Sequence, residues 1–223
     1  MSANTTAGFS VVTYTGTGAN ATVGHGLGVV PSMVINKSRS DSENWIVKHT
    51  SISSGNVLRL NTTDQAYTPL NSTINQLSSA TTIGFTTSGS GDVNQSGQTY
   101  VAYCFAAIAG YSAFGSYTGN GSADGPFIYT GFRPRYVMVK CSSSDQGGNA
   151  DWRVQDSARD TYNVVGNMLF ADLSLAESTG NTLMDFLSNG FKIRGTSTGQ
   201  NGNGATYIYA AFAECPLNIS LAR

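Results

Sequence analysis

Charge is what this chain has least of. Of its 223 residues only 12 are Lys or Arg and 13 are Asp or Glu, 11% together, and the formal net charge is −1. An average domain carries about a quarter. Binding to nucleic acid phosphates needs an excess of Lys and Arg, and neither an excess nor a basic cluster exists, which argues against nucleic acid as a partner. Histidine is scarcer still. His25 and His49 are the only two, and they lack the i, i+4 or Cys/His spacing of a metal site. Cys104, Cys141 and Cys215 are odd in number and show no C-x-x-C spacing, so neither a disulfide framework nor a zinc knuckle is implied. No metal and no cofactor is expected. No run of roughly 18 apolar residues is present, so membrane insertion is not expected. Residues 1–6 show neither the basic nor the apolar stretch of a secretion signal. Helical runs are also missing. The best of them, Leu173-Ser174-Leu175-Ala176-Glu177-Ser178, is too short to stand alone and reads as a single turn in a loop.

What the chain does have is a second copy of itself. Tyr14-Thr15-Gly16-Thr17-Gly18 returns as Tyr117-Thr118-Gly119-Asn120-Gly121, and Pro31-Ser32-Met33-Val34-Ile35 as Pro134-Arg135-Tyr136-Val137-Met138. Further on, Asn44-Trp45-Ile46-Val47 answers to Asp151-Trp152-Arg153-Val154, Gly84-Phe85 to Gly190-Phe191, and Thr99-Tyr100-Val101-Ala102 to Thr206-Tyr207-Ile208-Tyr209. Order is kept while the offset drifts, as small loop insertions would cause. Each unit is long enough to be a small domain, and at 40% hydrophobic residues each can build a core. The apolar segments are short, β-branched and aromatic, and Gly, Asn and Ser bound them, which is the signature of strands. They fall near 9–15, 33–37, 45–49, 57–60, 82–86 and 100–106, then near 114–118, 136–141, 152–156, 168–170, 191–194 and 207–213. Gly89-Ser90-Gly91-Asp92 and Gly199-Gln200-Asn201-Gly202-Asn203-Gly204 precede the last strand of each unit as hairpin loops would. The expected fold is all-β, with two tandem β-sandwich units at 8–110 and 111–217.

Few residues suggest chemistry. Gly195-Thr196-Ser197-Thr198-Gly199 has the letters of the serine-hydrolase elbow, which needs a strand before it, a helix after it, and an acid and a histidine downstream. A Gly/Asn loop follows instead, and no histidine comes after His49, so the motif reads as a loop. Asp145-Gln146-Gly147-Gly148-Asn149-Ala150-Asp151 offers the oxygens of a calcium loop without the alternating acidic order, and it reads as a solvated turn. In the second unit Tyr129 or Thr130 stands near the place of His25, and Asp156 at that of His49, so neither histidine is a duplicated function. Paired carboxylates for glycan cleavage could come from Asp156, Asp160, Asp172, Glu177 and Asp185, yet no spacing favours a pair. The chain is not expected to be an enzyme.

Candidate ligand-binding residues are Trp45, Trp152, Asp156 and Arg159. A Trp repeated at one place in both units is most economically a core anchor, given its large buried area. The alternative is an exposed platform for a sugar ring. Asp156, Arg159 and Asp160 share one stretch, either a surface ion-pair cluster or the edge of a polar ligand site.

The segments Gly8-Phe9-Ser10-Val11-Val12-Thr13-Tyr14, Val23-Gly24-His25-Gly26-Leu27-Gly28-Val29-Val30-Pro31, Phe114-Gly115-Ser116-Tyr117, Ala158-Arg159-Asp160-Thr161-Tyr162-Asn163 and Tyr207-Ile208-Tyr209-Ala210-Ala211-Phe212-Ala213-Glu214 resemble a domain-of-unknown-function family common in marine and cyanobacterial bacteriophages. The likeness covers roughly 8–217. It implies a virion protein, tail-fibre-like and made in the cytoplasm of a bacterial host. A weaker resemblance, at Pro31, Gly84-Phe85 and the strand ending at Ala106, is to the H-type lectin sandwich, and it implies trimerisation.

The combined expectation is a non-enzymatic virion structural protein, a tail-fibre or other exposed tail component that binds host surface glycans. Its expected partners are other virion proteins, itself as a homotrimer, and the glycan. The alternative is a capsid decoration or tail-assembly protein that binds only other virion proteins. Exposed aromatic side chains would favour the glycan binder, and loops buried against a neighbour the decoration protein.

Overall fold

The computed structural model describes residues 1–69, 72–76, 79–87, 91–144, 146 and 150–214. Two compact units emerge. The first gathers Met1–Asn61 and Ala66–Ala107, the second Thr62–Gln65 and Ile108–Arg223.

In the first unit, β1 (Ser2–Asn4), β2 (Phe9–Thr15), β4 (Met33–Ser38), β5 (Ile46–His49), β6 (Leu58–Arg59) and β9 (Thr99–Phe105) form one sheet, in the order β1-β2-β9-β4-β5-β6. A smaller sheet has β3 (Ala21–Gly24), β8 (Thr82–Thr87) and β7 (Ser72–Gln76) in the order β3-β8-β7. The second unit sets β10 (Ser112–Thr118), β17 (Thr206–Ala213), β12 (Pro134–Cys141), β13 (Arg153–Asp156) and β14 (Leu169–Phe170) side by side in that order. Its smaller sheet runs β11 (Phe127–Tyr129), β16 (Gly190–Ile193), β15 (Met184–Leu187). Every pairing is antiparallel. Apart from the extra edge strand β1, the two units share one strand order. The all-β expectation holds, with Tyr14-Thr15 on β2 and Tyr117-Thr118 on β10.

The sheets face each other because their strands alternate. Along β9, Tyr100, Ala102 and Cys104 turn inward while their neighbours are half-buried, the period of two that a one-sided sheet requires. In the first unit Val12, Val34, Ile46, Ala102 and Cys104 meet Ile83 and Phe85 of the smaller sheet. In the second, Val137, Val139, Tyr207 and Ala211 meet Ile128, Met184, Phe186, Phe191 and Ile193. Each is a sandwich core. Burying one such side chain contributes about 1.5–3 kcal/mol. Cys104 and Cys141 are free thiols within these cores, and burial pushes the Cys104 thiol up to about 11. Cys215 lies outside the described residues.

A hydrogen-bonded frame closes one end of each sandwich, and it explains the Tyr-Thr-Gly-x-Gly repeat. Tyr14 stacks on Tyr100 at 5.1 Å, and Tyr117 on Tyr207 at 5.2 Å. The Tyr14 hydroxyl donates to Val93 O at 2.5 Å and that of Tyr117 to Gln200 O at 2.7 Å. Asn94 Oδ1 accepts from Thr17 N, and Asn201 Oδ1 from Asn120 N, both at 2.9 Å. Glycine is required at both places in the motif. A Cβ on Gly16 would lie 2.1 Å from Gln95 O and one on Gly119 2.4 Å from Gly202 O. Gly18 and Gly121 adopt φ of 71° and 68°, a region costly to residues with a Cβ.

The single helical turn differs in place from the sequence expectation. Residues 173–177 are irregular, Ser178 forms an isolated bridge with Met168, and α1 (Thr198–Asn201) forms instead. It starts where Gln200 N and Asn201 N both donate to Ser197 O, at 3.0 and 2.7 Å. Among the described residues no helix is long and apolar enough to cross a membrane.

Candidate functional site

Asp156 ends β13 and organises the loop beyond it. Its Oδ1 accepts from Ala158 N at 3.0 Å and Arg159 N at 2.9 Å. The Arg159 guanidinium returns to Asp156 Oδ2 at 2.9 Å and reaches Glu177 Oε1 at 3.2 Å. The loop is tied further along. Asp160 Oδ2 accepts from Gly166 N and Asn167 N at 3.0 and 2.7 Å. The Asn163 amide pairs with the backbone of Phe186, donating to its carbonyl at 3.0 Å and accepting from its N–H at 2.8 Å. Surface ion pairs add little stability, so the cluster's effect is positional. It holds a loop whose tip, Tyr162, is 84% exposed. At the matching place in the first unit, His49 Nδ1 accepts from Ser51 N at 3.1 Å, and Ile52 buries itself in the turn.

The two tryptophans part company. Trp152 is 2% exposed. A ring so covered cannot stack on a ligand, so its candidacy as a sugar platform is withdrawn and the core-anchor reading stands. Trp45 is half-buried and lies against Tyr103, ring centroids 6.4 Å apart at 16°. Both tryptophan N–H groups of the backbone are capped by the side chain of a later loop, Trp45 by Asn61 Oδ1 at 3.0 Å and Trp152 by Asp172 Oδ1 at 3.1 Å.

The remaining sequence candidates have local roles. His25 is buried, its Nδ1 accepting from Leu27 N at 3.2 Å. Ser197 of the G-x-S-x-G segment is bonded by Arg153 at 2.9 Å. A helical turn does follow it, contrary to the loop expected from the sequence, because backbone bonds to Ser197 O and the tethered Asn201 side chain stabilise it. Asp151 is buried and paired with Arg153 at 3.3 Å, while 145 and 147–149 of the calcium-like segment lie outside the described residues. Among the described residues no three His, Cys, Asp or Glu converge as metal ligands.

The second unit also takes polar groups into places that are apolar in the first. Arg153 and Gln200 stand where Ile46 and Val93 stand, and all four are buried. Gln155 and Gln200 are wholly enclosed, and their amide atoms have no partner among the described residues. Buried amides of this kind are satisfied by internal water in most folds.

A different set of residues faces solvent. Every strongly exposed aromatic ring among the described residues belongs to the second unit: Phe127, Tyr129 and Tyr162. Phe127 and Tyr129 flank buried Ile128 on edge strand β11 and so point outward. Register puts Tyr129 opposite Gly190 as Thr22 is opposite Gly84. The counterpart of Tyr129 is therefore Thr22 rather than His25, and that of Phe127 is Asn20. The sequence held one signal for this pair: three successive apolar residues, Phe127-Ile128-Tyr129, between turn residues, more than a strand with one buried face needs.

Comparison with known proteins adds one result. No curated protein and no solved structure matches the chain. The family model described as "Domain of unknown function (DUF7483)" matches residues 1–216, through both units, and the chain belongs to that family.

Proposed function

We propose that the chain is a non-enzymatic structural protein of a bacteriophage virion, a tail-fibre or other exposed tail component. In this reading it assembles as a homotrimer with other virion proteins and binds host surface glycans through its second unit. The observation that carries the reading is the placement of aromatic rings. Phe127, Tyr129 and Tyr162 face solvent in the second unit, while Asn20 and Thr22 hold the places of the first two in the first unit. Rigid, exposed rings supply contact area at low entropic cost, and the strand and the tethered loop hold them still. The scarcity of charge, 11% of residues, suits recognition by hydroxyl and amide groups rather than by ions.

The test is binding of the purified full chain to intact host-type cells and to an array of bacterial glycans, with oligomeric mass determined on the same preparation. Saturable binding that free sugar displaces is the expected result. A folded protein that binds neither cells nor glycans would sink the adhesin reading. The capsid decoration or tail-assembly role would then lead, with the partner sought among virion proteins.

A further inference from the structure

The outer face of the smaller sheet in the second unit has a composition that points to one class of ligand. Pairing across β11, β16 and β15 sets two rows side by side. Phe127 lies opposite Lys192, and Lys192 opposite Asp185. Tyr129 lies opposite Gly190, and Gly190 opposite Leu187. The alternate residues Ile128, Phe191, Phe186 and Ile193 fill the core, so both rows look outward. Phe127 is 46% exposed and Tyr129 69%. Gly190 is what lets the first ring settle against the sheet, because a Cβ there would stand 3.1 Å from Phe127 Cε2 and 2.1 Å from Ile128 O.

The charges on this face cancel in pairs. Lys192 Nζ meets Asp124 at 2.5 Å, and Arg194 meets Asp185 at 2.9 Å. The Lys192 hydrogen bond and charge hold the Asp124 carboxyl below its ordinary value. Two cations against two carboxylates leave no net field to draw an anion or a cation. They do leave N–H donors and carboxylate lone pairs beside two aromatic rings. The negative face of an aromatic ring attracts the positive edges of C–H groups, such as those on one side of a pyranose, and the flanking ion pairs suit its hydroxyls. The equivalent face of the first unit, with Asn20 and Thr22, offers no ring among the described residues. A peptide added to the edge of β11 would find only three residues to pair with, too few for a ladder to supply much affinity.

We infer that this face, built by Phe127, Tyr129, Lys192 and Asp185, is the binding site for an uncharged saccharide. The inference rests on the glycan-binding reading above and adds the site and the ligand class. Ionic sugars have no counter-charge to gain there, since each charged group already has its partner.

The experiment immobilises the 223-residue chain and measures binding of neutral polysaccharides (dextran, mannan, galactan) and anionic ones (alginate, polygalacturonate). Wild type is compared with Tyr129→Ala and with Thr22→Ala on the equivalent face of the first unit, melting temperature and oligomeric mass being recorded for each. The expected result is binding to a neutral polysaccharide that weakens about ten-fold in Tyr129→Ala and persists in Thr22→Ala, with melting temperature and mass unchanged. Glycan binding that Tyr129→Ala leaves intact would overturn this site while sparing the glycan reading. Preference for the anionic polymers would overturn the ligand class. A change of oligomeric mass in Tyr129→Ala would make the face a contact between copies and overturn the proposal. If wild type binds no glycan in this set or on the wider array, both the site and the reading beneath it fall.

Discussion

Lys48 and Lys140 show how little the fold spends on charge. Both are buried, and burial pushes each amine down to about 8 from the ordinary 10.5. Each also meets two backbone carbonyls, Ser53 O and Asn56 O for Lys48, Thr63 O and Ala150 O for Lys140. Two acceptors match the two N–H bonds of an uncharged amine. Between pH 8 and 10.5 the unfolded chain still holds these protons while the folded chain has released them. Stability therefore rises with pH across that window. The buried tyrosines act in the opposite sense. Burial raises Tyr14, Tyr100, Tyr117 and Tyr209, and pushes Tyr136 and Tyr207 up to about 12 from 10.0. Their contribution is intact below pH 10 and is lost above it, as the unfolded chain ionises first. Denaturation midpoints in urea are expected to climb from pH 7.5 to about 9.5 and fall steeply beyond about 10.5. Lys140→Met should lower the midpoint at every pH, because it orphans two carbonyls, and should flatten the climb. An unchanged climb in both Lys140→Met and Lys48→Met would show that other groups cause it.

At the scale of elements, the end frames are where the repeat in the sequence becomes physical. Gly16 and Gly119 each admit a carbonyl within 2.4 Å of where a Cβ would stand. Alanine at either position must push backbone aside, at a cost of about 1–3 kcal/mol. Asn201 donates to Ser122 O at 2.7 Å and Gly195 O at 2.9 Å besides accepting from Asn120 N, so Asn201→Ala should cost a similar amount. Urea titration checks all three, with midpoints expected to fall at an unchanged slope. A midpoint unmoved in Gly119→Ala would mean that the hairpin loop gives way freely. The central strands were legible because seven or eight residues such as Thr99–Phe105 express the alternation fully. β1, β3, β7, β11 and β15 escaped notice: at three to five residues a period of two does not stand out, and unlike the equally short β5, β13 and β16 they hold none of the repeated phrases. The helical turn was misplaced for a related reason. Leu173 to Ser178 has the better composition, but Leu175 is exposed and Ser178 pairs with Met168 in an extended bridge. At 198–201 hydrogen bonds from distant residues outweigh a weak local preference.

The candidate site was partly legible at the scale of the whole molecule. Asp156 and Arg159 could be picked out as a polar stretch that departs from the first unit, whereas the one signal for Phe127 and Tyr129, three successive apolar residues, does not tell outward rings from core rings until register is known. That difference bears on how the proposed adhesin would bind. Among the described residues each chain has one aromatic face, on an open sheet that encloses little of a ligand, and shallow contact gives weak affinity. A trimer sets three such faces against one surface, and effective concentration then multiplies weak sites. Sedimentation is accordingly expected to give about three times the 23.4 kDa chain mass. Per sugar unit, a polymeric neutral glycan should bind on the order of a hundred-fold more tightly than its free monosaccharide. A monomer at all concentrations would remove the basis for avidity. Equal affinity for sugar and polymer in a trimer would mean that the three faces cannot reach one strand of glycan together, because avidity is lost when geometry forbids simultaneous engagement.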